Sequence, residues 1–217
     1  QILVEGEYKP TLLNRFRDDP AGAPLITPSG KIEIFSEIID GFGYDDCPGH
    51  PTWMEPDEWL NGERSVHFPL HLISNQPKTR LHSQWDIGTT SRKSKIKGHE
   101  PARMNPQDAA DRGLQDGDLI KLFNDRGACI AGVILSEEIR PGVVQLATGA
   151  WYNPQVAGQS GSLELHGNPN VLTRDRGTSQ LAQGSTAQTA LVQVERYDGP
   201  EVEVTVFEQP VTAVGKG

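Results

Sequence analysis

The stretch Phe68-Pro-Leu-His-Leu-Ile-Ser-Asn-Gln-Pro-Lys-Thr-Arg-Leu-His-Ser-Gln84 decides how this chain is interpreted. Its first part, Phe68 to Ile73, is an apolar run typical of a buried β-strand. The next four residues are turn formers, and the segment from Lys78 to Gln84 is rich in hydrogen-bond donors. A strand that leads into a donor-rich loop is a common way to present a binding surface on a rigid scaffold.

The side chains of this loop suit an anionic ligand that is rich in heteroatoms. Arg80 and Lys78 suit phosphate oxygens, and Asn75 and Gln84 suit the edge of a base or a pterin. The alternative is a solvated polar turn that carries two basic residues. The residue types alone do not decide between these two interpretations.

Length and composition favour a loop-rich β domain. The chain has 217 residues with 23 Gly and 16 Pro, which favours turns and short strands over long helices. The formal net charge of -9 argues against general binding to nucleic acid or a membrane surface, and no apolar run approaches the length of a transmembrane helix. Residue 1 is Gln rather than Met, so we expect a piece of a longer protein.

The two cysteines predict neither a disulfide framework nor a metal site. Cys129 lies in the apolar run Ala128-Cys-Ile-Ala131 and is expected to be a small buried side chain. Cys47 lies in Asp45-Asp-Cys-Pro-Gly-His50, which lacks a second soft ligand at zinc spacing. We predict no metal ligand and no catalytic residue in this chain.

Three parts are predicted along the chain: an irregular extension over 1–65, a barrel over 66–197, and a strand or tail over 198–217. In the extension, Lys31 to Phe35 alternates as a half-buried strand does. Ser36 is expected to cap a short helix that ends at Gly41. An irregular loop follows, and its predicted apolar anchors are Trp53, Met54 and Trp59.

The predicted barrel is mainly β, with short helices. Asn105 and Pro106 are typical of a helix start, and Gly113 of its end. Residues 85–98 are expected to be flexible and basic, and Asn124 to Gly127 to form a hairpin turn. The predicted strands, besides the one that ends at Ile73, are Asp118–Phe123, Ala128–Leu135, Val143–Ala147, Ala190–Glu195 and an edge strand Glu201–Phe207.

A long segment from Gly149 to Gly184 contains few core residues. Loops of this length inside a domain are usually functional or disordered. The density of specific polar side chains favours a functional loop. These side chains are His166, Asn168, Asn170, Thr173, Asp175, Ser179 and Gln183.

Several motifs in order resemble the C-terminal domain of molybdopterin oxidoreductases. Ser74 to Gln84 resembles the first loop of that domain, and the likeness covers residues 66–196, with Thr27 to Ile34 resembling the segment before it. Within the family, Arg80–Gln84 and His166–Asn170 resemble the dimethyl sulfoxide, trimethylamine N-oxide and biotin sulfoxide reductase branch, and Asn168–Thr173 is most similar to biotin sulfoxide reductase. The further motifs are Asn105–Gly113, Asp116–Asp118, Asn124–Gly127, Arg140–Val143, Gly149–Tyr152, His166–Thr173, Gly177–Ser179 and Leu181–Gly184.

The resemblance implies a double-psi β-barrel of the aspartate decarboxylase-like kind. It implies molybdenum held by two molybdopterin guanine dinucleotides in a longer enzyme that reduces an S-oxide or N-oxide, with this fragment inactive alone and free of the cofactor. The other domains of that enzyme are the implied partners, without nucleic acid or membrane. The implied cofactor-binding residues are Ser74, Asn75, Gln76, Arg80, His82, Ser83, Gln84, His166, Asn168, Asn170, Asp175 and Gln183.

The sequence leaves a second function and the cellular compartment open. A double-psi barrel also occurs in modules without catalytic activity, which bind a nucleotide or a partner protein, so the fold alone does not decide the function. The polar loop from 150 to 184 separates the two hypotheses, because only a dinucleotide lid requires its Asn, Asp and Gln residues. The resemblance leaves the compartment open, with the cytoplasm favoured over the periplasm.

Overall fold

The computed structural model describes residues 12–209, and these form two compact units. One unit comprises the residues up to Met54 together with Ser179–Leu181, and the other comprises Glu55–Thr178 and the residues from Ala182 onward. The division after Met54 lies earlier in the chain than the predicted boundary at residue 65. Parts of the predicted extension and tail, residues 1–11 and 210–217, lie outside the described residues.

From residue 12 onward, the first unit has two short helices, α1 (Leu12–Asp18) and α2 (Glu37–Asp40). The predicted cap of α2 is confirmed, because the Ser36 hydroxyl accepts from the Ile39 amide at 3.3 Å and the helix ends at Gly41. The strand predicted over 31–35 is wrong. Its apolar side chains are exposed, and an alternating segment forms a strand only where a neighbouring strand pairs with it. Trp53 and Met54, predicted to be packed anchors, are also exposed.

The second unit is a six-stranded closed barrel with short helices, as predicted. Its strands follow the order β1-β5-β2-β4-β3-β6 around the ring, and β6 pairs with β1 to close it. Two pairs, β1 with β5 and β2 with β4, are parallel, and the other neighbours are antiparallel. This is a double-psi β-barrel. The strands are β1 (Leu70–Ile73), β2 (Pro101–Met104), β3 (Leu119–Phe123), β4 (Ala128–Leu135), β5 (Val143–Leu146) and β6 (Ala190–Arg196).

The barrel interior is filled by one side of each strand. The alternating burial of β3 and β5 follows from the two-residue period of a strand. Leu72, Met104, Leu122 and Leu146 are among the fully buried side chains of this core. Cys129 is fully buried on β4 and burial raises the pKa of its thiol, which confirms the predicted apolar role.

Two α-helices belong to the barrel unit, α3 (Thr89–Lys93) and α4 (Pro106–Ala110). The predicted start of α4 is confirmed, since the Asn105 side chain accepts from the Gln107 amide at 2.9 Å. Short 3₁₀ turns cover Glu63–Val66, Pro169–Leu172 and Ala187–Thr189. Among residues 12–209, none of the helices combines the length and the apolar composition needed to cross a bilayer.

Two predictions for this unit are wrong, and one strand was missed. β2 was not predicted, because its four residues begin with Pro and include an exposed Arg, a weak strand signal. Residues 85–98 are not a simple flexible segment, since they contain α3 and the buried residues Asp86 and Ser91. The edge strand predicted over 201–207 is coil and turn, because β6 already pairs on both sides with β1 and β3.

The segment from Glu55 to Val66 is held on the barrel by a buried carboxylate. Glu58 is 2% exposed and accepts hydrogen bonds from Arg126 Nη1 at 2.5 Å and Nη2 at 3.0 Å. It also accepts from the Leu191 amide at 2.9 Å. Burial raises the pKa of Glu58, but the Arg126 guanidinium outweighs this effect and keeps the pKa below its ordinary value.

Candidate functional site

Two loops leave the barrel at the same edge. We call residues 74–84, which follow β1, the first loop, and residues 147–170, which follow β5, the second loop. β1 and β5 are parallel neighbours, with Ile73 beside Gln145. Since the ends of parallel strands meet at one edge of a sheet, the topology brings the two loops together.

Hydrogen bonds join the two loops along their length. The Thr148 amide donates to the Asn75 carbonyl at 2.9 Å, and the Trp151 indole donates to the Ser83 carbonyl at 2.7 Å. Gly149 lies where the loops cross and has a φ of 89°. A Cβ at this position would lie 2.0 Å from the His82 carbonyl oxygen, so only glycine allows this crossing.

Arg80 lies beneath the first loop, and its side chain is fully buried. Its Nε donates to the His82 carbonyl at 3.1 Å, and its Nη2 donates to the Thr148 carbonyl at 3.0 Å. Its Nη1 contacts Glu100 Oε1 at 3.1 Å and Ser91 Oγ at 3.3 Å. The guanidinium is therefore bonded to acceptors of the protein itself.

Four charged side chains form what we call the buried ion network: Arg80, Asp86, Lys95 and Glu100. Lys95 Nζ donates to Asp86 Oδ1 at 2.8 Å and also to Glu100 Oε2. All four side chains are at most 2% exposed, and their formal charges cancel. Burial raises the pKa of Asp86, but the hydrogen bond and charge of Lys95 lower it below its ordinary value.

His166, on the second loop, adjoins this network. Its Nδ1 lies 3.0 Å from the Trp151 carbonyl and 3.7 Å from Asp86 Oδ2. Burial and the charge of Lys95 lower the pKa of His166 to about 4, so the ring is neutral at pH 7 and Nδ1–H donates to the carbonyl. Nε2 has no hydrogen-bond partner among residues 12–209, and the ring packs edge to face with Phe207.

Three potential metal ligands meet here, but their surroundings favour an ion network. Ligand atoms of Asp86, Glu100 and His166 lie within 4.8 Å of one another. The Lys95 ammonium bonds both carboxylates, and together with Arg80 it balances their charge. A metal ion would have to displace Lys95, so we do not assign these residues to a metal site.

A second buried carboxylate, Glu164, organises the second loop in a different way. It is fully buried and accepts four backbone N–H groups at 2.7 to 3.1 Å. Burial raises the pKa of Glu164, and the four backbone donors oppose this effect only in part. The donors are the amides of Asn153, His166, Gly167 and Asn168.

The structure divides the twelve predicted site residues by exposure. The side chain of Arg80 is buried, and His166 and Asn168 are buried as whole residues. Ser74 and Asn75 are half-buried. The remaining seven are exposed, which is the condition for direct contact with a ligand. They are Gln76, His82, Ser83, Gln84, Asn170, Asp175 and Gln183.

The two loops bring most of these residues together. In the first loop, Gln76 Nε2 lies 3.0 Å from His82 Nδ1. In the second loop, Asn168 donates to the Ala150 carbonyl at 2.8 Å and its Oδ1 caps the turn at Asn170. Asp175 and Gln183 lie on a third segment, which turns back where Gly177 pairs with Ser185.

The surface of the first loop has the donors that a nucleotide phosphate or base requires. A cleft of about 470 Å³ lies beside this loop, and its lining includes Asn75, Lys78, Thr79 and Arg103 together with two glutamates. Amide, hydroxyl and cationic donors in one cleft fit the mixed chemistry of a phosphorylated heterocycle. The left-handed backbone of His82, with a φ of 50°, is a strained conformation of the kind retained at binding sites.

The sequence analysis missed the charged residues that support the two loops. Asp86 and Lys95 were assigned to a flexible basic segment, and Glu100 and Glu164 received no role. The sequence signal for Glu164 is limited to its position between two leucines, Leu163 and Leu165. Buried carboxylates need partners, but these partners are distant in sequence or belong to the backbone.

Comparisons with known proteins agree with the geometry. Residues 70–191 match the family model described as Molydopterin dinucleotide binding domain. The chain is 50% identical over 196 residues to the dimethyl sulfoxide/trimethylamine N-oxide reductase of Cereibacter sphaeroides, which covers 90% of this chain and 24% of that protein. It is 49% identical over 192 residues to trimethylamine-N-oxide reductase 1 of Escherichia coli K12, covering 88% and 23%.

A solved structure supports the fold. Acetylene hydratase from Pelobacter acetylenicus matches with a TM-score of 0.64 at 21% identity, over 82% of this chain and 25% of that one. This likeness concerns the fold alone. The chain spans about a quarter of the length of the curated relatives named above.

Proposed function

Because the chain belongs to the molybdopterin dinucleotide-binding domain family, we propose that it is the C-terminal cofactor-binding domain of a longer enzyme that reduces an S-oxide or N-oxide. The observation that carries this proposal is the convergence of two loops at one edge of the barrel, with exposed donors on the first loop. The relatives support the reaction class, since their names specify dimethyl sulfoxide and trimethylamine N-oxide reduction.

We propose that the cofactor is molybdenum held by two molybdopterin guanine dinucleotides. When bound, it supplies the oxygen-atom transfer, and the protein supplies binding, orientation and electrostatics. Exposed side chains of the first loop, His82, Ser83 and Gln84, would donate to pterin and phosphate atoms. The exposed Asp175 carboxylate suits the N1–H and N2–H₂ donors of a guanine edge.

The relatives support a small N-oxide or S-oxide as substrate rather than biotin sulfoxide. The motifs of the second loop favoured biotin sulfoxide reductase, whereas the relatives described above are dimethyl sulfoxide and trimethylamine N-oxide reductases. We propose trimethylamine N-oxide as the first substrate to test. Steady-state reduction of trimethylamine N-oxide and of dimethyl sulfoxide by the full-length protein, with biotin sulfoxide as the competitor, measures the substrate preference.

The test of the cofactor is elemental analysis of the full-length protein with identification of the nucleotide released by acid. We expect molybdenum together with about two guanine nucleotides per metal. Absence of both, from a host that makes the cofactor, contradicts the proposal and leaves the non-catalytic barrel module. Gln84→Ala is expected to lower the retained nucleotide, and Gln115→Ala, an exposed glutamine outside both loops, is the matched control.

A further inference from the structure

The buried ion network lies at the junction of three segments of the chain. Arg80 comes from the first loop, and Asp86, Lys95 and Glu100 come from the segment between the loop and β2. The third segment is the second loop, whose Trp151 amide donates to Asp86 Oδ2 at 2.9 Å. The network therefore fixes the distance between the two loops from below.

The first loop is bonded to this interior through its own carbonyl groups. The His82 carbonyl accepts from Arg80, and the adjacent Ser83 carbonyl accepts from the Trp151 indole. These inward-facing bonds leave the side chains of His82, Ser83 and Gln84 exposed. The left-handed φ values of His82 and Trp85, 50° and 60°, persist because bonds on both sides hold the backbone.

A buried, charge-balanced network is a costly way to gain stability. Desolvation offsets most of the attraction between buried charges, so apolar side chains of the same volume often stabilise a protein as well or better. The attested use of such groups is to specify one arrangement among several. Here the arrangement they specify is the register of the first loop against the second.

We propose that Arg80 and the buried ion network position the first loop for the dinucleotide before it binds, and that Arg80 is a positioning residue rather than a phosphate ligand. The identity of the ligand rests on the proposed function. The positioning itself belongs to the protein without cofactor, so it can be measured whether or not that function is correct.

The planar guanidinium is the part of Arg80 that this role requires. It reaches Glu100 and Ser91 on one side and the carbonyls of His82 and Thr148 on the others. An ammonium group would keep the charge but could not span these acceptors in one plane. A residue that only binds a phosphate, in contrast, can be a lysine, because the ammonium group acts as a point charge.

Hydrogen–deuterium exchange of the cofactor-free full-length protein tests this proposal. In Arg80→Lys, the amides of Gln84, Thr148 and Trp151 are expected to exchange about tenfold faster or more, because opening of the loop becomes less costly. Ser91→Ala, which removes one bridge between Arg80 and Asp86, is expected to give a smaller increase at the same amides. Lys93→Met, an exposed cation of α3, is the control and is expected to change none of them.

The pattern of exchange separates positioning from general stability. Positioning requires that the amides of β2 and β3 keep their protection in Arg80→Lys, and faster exchange throughout the barrel contradicts it. If Arg80→Lys does not fold, Ser91→Ala decides, and unchanged loop amides in that variant overturn the proposal. Unchanged loop amides in Arg80→Lys, with guanine nucleotide retained in the loaded variant, would show that the site requires only the charge of residue 80, as a phosphate contact does, and would overturn the proposal.

Failure of the proposed function gives a different result. In that case the wild-type protein carries no guanine nucleotide, while the exchange pattern of the cofactor-free variants still reports on the network. A loaded wild type with unchanged exchange in both Arg80→Lys and Ser91→Ala overturns the positioning role alone.

Discussion

Two carboxylates of this domain, Asp86 and Glu164, both lie out of contact with solvent, and their pKa values are shifted in opposite directions. Both have no exposed surface. Asp86 is bonded to the Lys95 ammonium and lies 3.5 Å from the Arg80 guanidinium, and its pKa is lowered in spite of burial. Glu164 is bonded to four backbone amides, and burial raises its pKa.

The two carboxylates differ in the kind of donor: the Lys95 ammonium helps to outweigh the effect of burial on the pKa of Asp86, whereas the backbone donors of Glu164 do not outweigh it. A cation within hydrogen-bond distance supplies a full charge, whereas a backbone N–H supplies only part of a dipole. Asp86 therefore keeps its charge beside the Lys95 ammonium. Glu164 is held by the backbone of the second loop, which it orders through its contacts.

The largest loss of stability is expected when a cation that contacts Asp86 is removed. Lys95→Met leaves Asp86 and Glu100 buried with a single cation, and loss of one partner from a buried ion pair costs about 3 to 5 kcal/mol. Urea unfolding measures this loss. Lys93→Met, which removes an exposed cation nearby, is expected to stay within about 0.5 kcal/mol of the wild type, and equal losses in the two variants would contradict the distinction.

A pH effect comes next, and it involves His166 beside Asp86. The pKa of His166 is lowered to about 4 in the folded protein, so the unfolded chain binds more protons between pH 6.5 and 4. The stability that depends on the neutral ring is present above pH 6.5 and is lost as the pH falls toward 4, by about 3 kcal/mol at most.

His166→Asn is therefore expected to flatten the dependence of stability on pH in this window. The free energy of unfolding at several pH values between 4 and 7 measures the slope. His67→Asn, an exposed histidine, is the control. An unchanged slope in His166→Asn would show that the ring is not responsible for it.

Glu164 is expected to have a smaller effect on the pH dependence of stability, and its sign is opposite to that of His166. Its folded pKa is raised, so the stability linked to its proton is present below its ordinary pKa and is lost as the pH rises through the folded value. Glu164→Gln places an amide donor against backbone donors and is expected to cost about 1 to 3 kcal/mol.

The variant difference at Glu164 should be largest at low pH and should decrease as the pH rises. Unfolding of Glu164→Gln and wild type, measured from pH 4 upward, tests the direction. Glu137→Gln, an exposed carboxylate, provides the reference. A difference that grows with pH would mean that folding lowers the pKa of Glu164 instead of raising it.

The smallest effect is expected at an exposed ion pair of the barrel. Lys121 and Glu195 lie 3.0 Å apart on β3 and β6, with side chains 35% and 51% exposed. Exposed pairs contribute little, so Glu195→Gln is expected to change the free energy of unfolding by about 0.5 kcal/mol or less. A loss comparable to that of Lys95→Met would mean that exposure does not separate the two kinds of pair.

The strands show where local patterns were sufficient. β1, β3, β4, β5 and β6 were predicted because each has apolar residues bounded by turn formers. β2 was not, since its four residues have no such run and form a strand only between β4 and β5. The alternating segments 31–35 and 201–207 failed for the converse reason, because no neighbouring strand among the described residues pairs with them.

The candidate site divides in the same way. The first loop was recognised because its donors are adjacent in the chain, from Ser74 to Gln84. The residues that support this loop are far apart in the chain and contact one another only in the folded structure. They are Asp86, Lys95, Glu100 and His166. For Arg80 the sequence predicted a phosphate ligand, whereas the structure places its guanidinium on protein acceptors.

The sequence by itself determined five of the six barrel strands, the capped helix α4 and the two polar loops, because strand periodicity, capping and turn formation depend on residues close together in the chain. Only the tertiary structure decided which polar residues face outward and which are buried in the ion network. The pKa values of Asp86, His166 and Glu164 depend on desolvation and on charges brought from distant segments. These distances exist only after the parallel pairing of β1 and β5 brings the two loops to one edge of the barrel.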